Sequence, residues 1–421
     1  MGLTSPHSGL EPGGMTYLVL GGALTAQAAL AIDSFLPALP AVVGELGMTS
    51  GGVQLTVALF MIGFAAGQIA WGWLSDWLGR RLVILVGTGG FILATLLCAA
   101  ADSGPELIAW RTCQGLLASA SMAATRAMFR DHFTGVKLAR QMAAVSTVFF
   151  LSPIFAPQLG VGLMHLFGWR GVFFIPGLIA LASFLFSWRA LAESNPTSRR
   201  QRHSLATIVQ SAWAMVRHPL TGLCLGIQGS MSIGLMTWIS SSSLILTGQF
   251  QVSVRSFTLV FAATAGVQLL GSLLSHQLLR IRGAHEVMSL GGALCLLGGG
   301  LVFLVSVPLE AGLTWTMAGV WLYMLGFGMI VPTSTGMALH AFGLIGGLAA
   351  AILGTAQSLI GGLGSVMSSV LYDGSAFSLG VGIGLSGSLA CAAAITLSYR
   401  LRSHPELLDS VEELLFPANP P

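Results

Sequence analysis

Long apolar runs recur along this chain and constrain its fold more than any other feature. There are about twelve, and each approaches the roughly 20 residues that a helix needs to cross the hydrocarbon of a bilayer. The chain is 54% hydrophobic and only 8% charged, whereas about a quarter of the residues in a soluble protein are charged. We therefore expect an all-α membrane protein rather than a barrel, whose strands would read as alternating segments of about ten residues.

One long polar interruption divides these runs six and six. It covers residues 192–218, which are polar and basic. The sequence thus predicts an N-terminal half over 1–191, a cytoplasmic linker over 192–218, a C-terminal half over 219–399 and a cytoplasmic tail over 400–421. The predicted spans are 16–42, 53–74, 82–101, 105–128, 138–166, 170–191, 219–247, 256–279, 286–307, 313–338, 347–371 and 378–399.

Positive charges are distributed unevenly among the predicted loops. With both termini on one side of the membrane, Lys137 and nearly all of the loop arginines fall on that same side, and only Arg170 and Arg255 fall on the other. Cytoplasmic loops carry the excess of Lys and Arg in membrane proteins. We therefore expect a multi-pass protein with both termini in the cytoplasm.

A charged turn separates the second and third predicted spans. Its sequence is Gly72-Trp73-Leu74-Ser75-Asp76-Trp77-Leu78-Gly79-Arg80-Arg81. Charges are costly inside hydrocarbon, so the turn belongs at a membrane surface. We expect Gly72 to let neighbouring backbones approach and Gly79 to permit a tight turn. Asp76 could face the positive end of a neighbouring helix, and the two arginines could bind helix ends or lipid headgroups. Such a polar latch would hold one conformational state; the alternative is a positive anchor at the lipid surface.

Two opposite charges fall inside predicted spans. Asp33 is the only carboxylate well inside one, and Arg111, in the fourth span, is the matching cation at a similar predicted depth. Ionisable groups within transmembrane segments are rare and mark ion or proton pathways. We interpret Asp33 as the group that carries a proton or competes for it with substrate, with Arg111 as its partner. The alternative is a static ion pair that only docks two spans.

The fifth predicted span is rich in proline and glycine. Proline removes backbone hydrogen bonds, so this span is expected to be thin and bendable, and to serve packing, gating or both. The residues concerned are Pro153, Ala156, Pro157 and Gly160.

A further set of polar, aromatic and methionine side chains could line a loosely selective apolar pocket. Helix packing is an alternative interpretation for each of them. The set consists of Met122, Gln228, Met231, Trp238 and Tyr323.

Several activities are not supported by the sequence. The only lysine, Lys137, follows Val136, so the chain has no phosphate-binding loop and ATP hydrolysis is excluded. The nine histidines and five cysteines lack the spacing of metal ligands, and a net charge of +3 does not indicate nucleic acid. We expect no enzyme activity and no cofactor apart from protons as the coupling ion.

Four motifs resemble the drug:proton antiporter branch with twelve spans in the major facilitator superfamily. Within it, the chain is similar to the bicyclomycin and chloramphenicol resistance exporters of bacterial inner membranes. The motifs are Ile32-Asp33-Ser34-Phe35-Leu36-Pro37-Ala38-Leu39-Pro40, the turn 72–81, Arg111-x-x-Gln114-Gly115 and Ala156-Pro157-x-x-Gly160. The resemblance implies two six-helix halves around a central cavity. It also implies export of small, largely apolar antimicrobial compounds by alternating access in exchange for protons, with Asp33 and Arg111 in proton coupling.

The resemblance leaves alternatives open. A metabolite exporter or an importer of the same fold fits the same motifs, and Ala156 replaces the glycine that is usual in the antiporter motif. A membrane sensor that does not transport is a further alternative, although residues 400–421 are too few for a signalling domain. The expected partners are a drug-like small molecule, protons and membrane lipid, in a monomer that binds no nucleic acid.

Overall fold

The chain is almost entirely helical. The computed structural model describes residues 10–199, 205–307, 312–340 and 346–403, and within these ranges it contains no strand. The predicted all-α fold class is thus confirmed. The helices are α1 Met15–Asp33, α2 Leu39–Leu46, α3 Ser50–Leu78, α4 Arg80–Ala100, α5 Gly104–His132, α6 Gly135–Phe167, α7 Phe174–Ala190, α8 Leu205–Arg217, α9 Pro219–Leu244, α10 Val254–Leu278, α11 Ala284–Ser306, α12 Leu313–His340, α13 Gly346–Leu371 and α14 Phe377–Ser403.

Most of these helices are suited to a bilayer. Among the described residues, 11 helical segments are long and apolar enough to cross a membrane. Helix α5, the predicted fourth span, has 29 residues and is as long as these segments, but it is much less apolar than they are. The difference arises because α5 carries Arg111 within the span and several charged residues near its ends. The structure therefore confirms a multi-pass helical membrane protein.

The first predicted span is broken rather than continuous. Helix α1 ends at Asp33, a 3-10 turn covers Leu36–Ala38, and α2 follows directly. Pro37 lies in the 3-10 turn and Pro40 in the first turn of α2. Proline lacks the N–H that would continue the ladder of an α-helix. The break leaves Asp33 at the C-terminal end of α1.

The described chain forms two compact units. Unit 1 comprises Met1–Gly47 and Leu59–Leu205, and unit 2 comprises Met48–Ala58 and Ala206–Pro421. This division differs from the predicted halves at residues 48–58, because the start of α3 is bonded to the end of α13. Ser369 Oγ donates to the Gly51 carbonyl oxygen at 2.7 Å. The predicted boundaries of the halves stay a prediction.

The segment predicted as a linker contains a helix, α8, of 13 residues. Val209, Trp213 and Val216 recur along it at the spacing of one helical face. The basic and polar residues that precede α8 obscured this pattern in the sequence.

Candidate functional site

Asp33 is buried in unit 1, with 4% of its surface exposed. Its Oδ2 accepts a 2.7 Å hydrogen bond from Ser152 Oγ on α6. None of the ion pairs among the described residues includes Asp33. A buried carboxylate without a cation in contact costs free energy in its charged form. The site can therefore hold a proton on Asp33.

Helix α6 approaches α1 closely where α1 ends. A Cβ at Gly160 would lie 2.4 Å from the carbonyl oxygen of Ser34, so this position requires glycine. Ala156 is fully buried, and Ser152 is 3% exposed. Residues four apart lie on the same face of a helix. Ser152, Ala156 and Gly160 thus form the face of α6 that meets the end of α1. The sequence interpretation included the last two and missed Ser152, because a serine in an apolar helix gives no signal of its partner.

Two prolines follow Ser152 on this helix. Pro153 and Pro157 lie inside α6, which remains helical through both. Each removes a backbone N–H that would otherwise bond to the preceding turn. The part of α6 that contacts Asp33 therefore has a weakened backbone ladder, and bending there would move Ser152.

Arg111 is fully buried on α5 and does not form the expected direct pair with Asp33. Its Nη1 instead donates to the carbonyl oxygen of Ala31 at 3.1 Å and to Gln114 Oε1 at 2.7 Å. Its Nε and Nη2 have no hydrogen-bond partner in the described structure. The guanidinium thus binds the backbone of α1 near Asp33 and retains donors that are not used.

Aromatic rings and an amide hold the Arg111 guanidinium in place. The guanidinium carbon lies 4.7 Å from the ring centre of Phe35 and 4.6 Å from that of Phe60. Gln114, which accepts from Arg111, also donates through Nε2 to Thr95 Oγ1 at 2.8 Å. Cation–π contacts away from water are worth roughly 2 kcal/mol. They help to offset the cost of burying this charge.

The charged turn is built around Gly79 and Arg80. Gly79 has φ +101°, a backbone conformation that favours glycine. Arg80 Nη1 donates to Asp76 Oδ1 at 2.6 Å and its Nε to Asp131 Oδ2 at 3.1 Å. The Asp76 carboxylate is thus bound by an arginine of its own turn. The close approach expected at Gly72 is not seen, since an added Cβ would meet no described atom within 4 Å.

The positive N-terminus of α4 is capped by Glu193, which the sequence interpretation missed. Its Oε1 accepts from the backbone N–H of Arg80 at 2.8 Å and its Oε2 from that of Arg81 at 3.1 Å. A carboxylate at this end of a helix is stabilised by the free N–H groups and the helix dipole. Glu193 is the single acid between residues 192 and 218. Its isolation among basic and polar residues was the sequence signal that could have indicated a specific role. Arg81 Nη2 donates to the Trp188 carbonyl oxygen, in the last turn of α7, at 2.7 Å.

Three of the predicted pocket residues serve helix packing in unit 2. The Tyr323 hydroxyl is hydrogen-bonded to Ser386 Oγ at 2.6 Å and donates to the Met231 carbonyl oxygen at 3.2 Å. Both Tyr323 and Met231 are fully buried. Trp238 stacks on Phe261 with ring centres 6.3 Å apart. These contacts favour the packing interpretation over direct substrate contact.

The other two pocket residues have different surroundings. Gln228 Nε2 donates to Thr335 Oγ1 at 2.9 Å, and Gln228 Oε1 accepts from Gln357 Nε2. This neutral hydrogen-bonded group joins α9, α12 and α13 within unit 2. Met122 lies on α5 in unit 1 and is 8% exposed.

A family profile identifies the superfamily to which this fold and its motifs belong. The profile described as Major Facilitator Superfamily matches residues 21–369, which is most of the chain. The chain is a member of the major facilitator superfamily. A crystal structure of a D-xylose-proton symporter superposes on this superfamily member with a TM-score of 0.70 at 16% identity, covering 91% of this chain and 96% of that chain. That likeness shows the fold alone.

Relatives of this superfamily transporter are named for drug resistance. A bicyclomycin resistance protein homolog from Haemophilus influenzae is 24% identical, covering 91% of this chain and 95% of its own length. A chloramphenicol resistance protein from Pseudomonas aeruginosa is 27% identical, covering 82% of this chain and 81% of its own length. The resemblance predicted from the sequence motifs is thus confirmed.

Proposed function

We propose that this transporter exports small, largely apolar antimicrobial compounds in exchange for protons, and that Asp33 carries the proton. The observation that carries the proposal is the buried Asp33 carboxylate, bound by Ser152 and without a cation in contact. A group in this setting changes its charge most easily when its surroundings change, as they do when a transporter alternates between the two sides of a membrane.

Arg111, which donates to the Ala31 carbonyl oxygen of α1, supports this role. Its two unused donors offer a place for negative charge once Asp33 loses its proton. A small movement of α1 or α6 that broke the Ser152 contact would let the carboxylate approach the guanidinium. In this proposal the substrate competes with the proton by changing the surroundings of Asp33. The substrate does not displace the Arg111 guanidinium.

The energetics allow such exchange to concentrate a drug. A potential of 100 mV is worth about 2.3 kcal/mol for each charge moved across the membrane. Since about 1.4 kcal/mol corresponds to a factor of ten, one proton per cycle can sustain a drug gradient of more than tenfold. We place the transporter in the bacterial inner membrane, as the resemblance to bacterial exporters implies, with both termini in the cytoplasm, as the distribution of its arginines predicts.

The choice of substrate class rests on the relatives. Both relatives described above bear the name of an antibiotic to which they relate. A growth screen across antibiotic classes, with and without expression of this chain, identifies which compounds it exports. Bicyclomycin and chloramphenicol are the first two to test.

Everted membrane vesicles test direction and coupling together. Respiration acidifies the vesicle interior, and adding an exported drug outside should dissipate that pH gradient as protons leave in exchange. We expect this with the wild type and not with Asp33→Asn at equal membrane abundance. A gradient that drug never dissipates, or drug movement in the opposite direction, would overturn the proposed function in favour of a metabolite transporter or an importer.

A further inference from the structure

Helix α8 has an apolar face that the rest of the described chain leaves uncovered. Its 13 residues are too few to cross a bilayer. Val209 is 67% exposed, and Trp213 and Val216 are each 56% exposed. Their spacing places all three on one side of the helix. An exposed apolar face of this kind marks a site of interaction with a membrane or a partner.

The other side of α8 is packed within unit 2. Met215 is fully buried, and a Cβ at Gly222 of α9 would lie 2.3 Å from the carbonyl oxygen of Val216. His218 caps α9, since its Nδ1 accepts from the backbone N–H of Thr221 at 3.2 Å. Because α9 is a membrane span that begins directly after this residue, the tight connection holds α8 where that span enters the bilayer.

The charges of this segment suit an anionic surface. The Arg217 guanidinium lies 4.6 Å from the ring centre of Trp213, at the edge of the apolar face. Gln210 is also exposed and lies close to Arg217 around the helix, at the same edge of the apolar face. The sequence adds Arg199, Arg200 and Arg202 shortly before the helix. Tryptophan with arginine, beside an apolar stripe, is typical of helices that lie in the headgroup region of a membrane.

We infer that α8 lies in the plane of the membrane surface and binds anionic phospholipid. Val209, Trp213 and Val216 enter the boundary between headgroups and acyl chains, and Arg217 binds lipid phosphate. The short helix anchors the connection between α7 and α9 to the inner leaflet. This surface is separate from the site around Asp33, and the inference does not depend on proton coupling.

Spin labels on α8 test its position. Cys113 is the one exposed cysteine of the described chain, so Cys113→Ala provides a background in which Val209→Cys or the matched control Gln210→Cys carries a nitroxide. The full-length transporter is placed in nanodiscs, and collisions with oxygen and with a water-soluble nickel chelate are compared. We expect the label at 209 to favour oxygen and the label at 210 to favour the nickel chelate. Equal access of the chelate to both labels, or shielding of position 209 from both reagents by a protein surface, would overturn the inference.

Lipid charge is tested in the same samples. Nanodiscs that contain anionic phosphatidylglycerol should place the label at 209 deeper than nanodiscs of phosphatidylcholine alone. Arg217→Gln should reduce that difference while leaving the depth in phosphatidylcholine unchanged. A label at 209 whose depth is the same in both lipids, with and without Arg217, would refute the role assigned to anionic headgroups.

Discussion

Ser152 on α6 donates a 2.7 Å hydrogen bond to the buried carboxylate of Asp33 at the end of α1. The contact joins the proline-containing helix to the acid that was recognised from its position in an apolar run. Any bending of α6 at its prolines changes the surroundings of that acid. In this account, α6 was interpreted as a gating helix and α1 ends at the proton-binding acid, and the contact between Ser152 and Asp33 links the two roles.

Replacing Ser152 tests this contact. Ser152→Ala keeps the volume of the side chain almost unchanged but removes the donor to Asp33. A hydrogen bond is typically worth about 1 kcal/mol, and about 1.4 kcal/mol corresponds to a factor of ten, so we expect drug-dependent proton exchange in everted vesicles to fall by about fivefold. Ser146→Ala on the same helix is the control and should leave exchange unchanged. Equal rates for both variants would remove Ser152 from the mechanism.

Helix packing beside Asp33 gives a second prediction. Gly160→Ala places a Cβ 2.4 Å from the Ser34 carbonyl oxygen, and such overpacking costs typically 1–3 kcal/mol. We expect a lower melting temperature in detergent. The matched control is Gly162→Ala on the same helix, where an added Cβ meets no described atom within 4 Å. If both variants melt alike, α6 does not contact α1 in the way described.

The Glu193 cap of α4 gives a third prediction. Glu193→Gln retains one amide oxygen but loses the charge that faces the N-terminus of α4. Losses of about 0.5–2 kcal/mol are typical for a helix cap, so we expect a modest fall in melting temperature. Glu11→Gln, at an exposed position, serves as the control for loss of one negative charge. An unchanged melting temperature for Glu193→Gln would show that the turn does not depend on this cap.

Tyr323 gives a fourth prediction, since its hydroxyl serves packing in unit 2. Tyr323→Phe removes the bonds to Ser386 and Met231, each worth about 1 kcal/mol. We expect lower thermal stability with an unchanged profile of exported compounds in growth assays. A changed drug profile at unchanged stability would restore the substrate-contact interpretation.

The sequence was most informative wherever burial is costly. Charged residues cannot be placed freely in a bilayer, so the apolar runs predicted the helices, and Asp33 and Arg111 stood out as candidate site residues. Gly79 was recognised because an Asp-x-x-Gly-Arg-Arg turn limits the backbone. Local chemistry marked these residues, and the resemblance to a known family implied their roles.

The parts that sequence reasoning missed depend on which helices meet. Ser152 is one of many serines in apolar helices, and only the packing of α6 on α1 singles it out. Glu193 follows α7 in sequence yet caps α4, a contact between segments far apart along the chain. Arg111 was expected to pair with Asp33, but the carbonyl oxygen of Ala31 and the amide of Gln114 satisfy its Nη1 instead. The spacing of residues along the sequence does not show which of several possible partners a side chain such as Arg111 will contact.

Proton release on drug binding tests the central claim most directly. The purified transporter, in a weakly buffered solution with a pH-sensitive dye, is mixed with a drug identified by the growth screen. We predict that the wild type releases protons in proportion to the drug bound, that Asp33→Glu retains the release, and that Asp33→Asn binds drug without it. Proton release that persists undiminished in Asp33→Asn would contradict the account, because another group would then be carrying the proton.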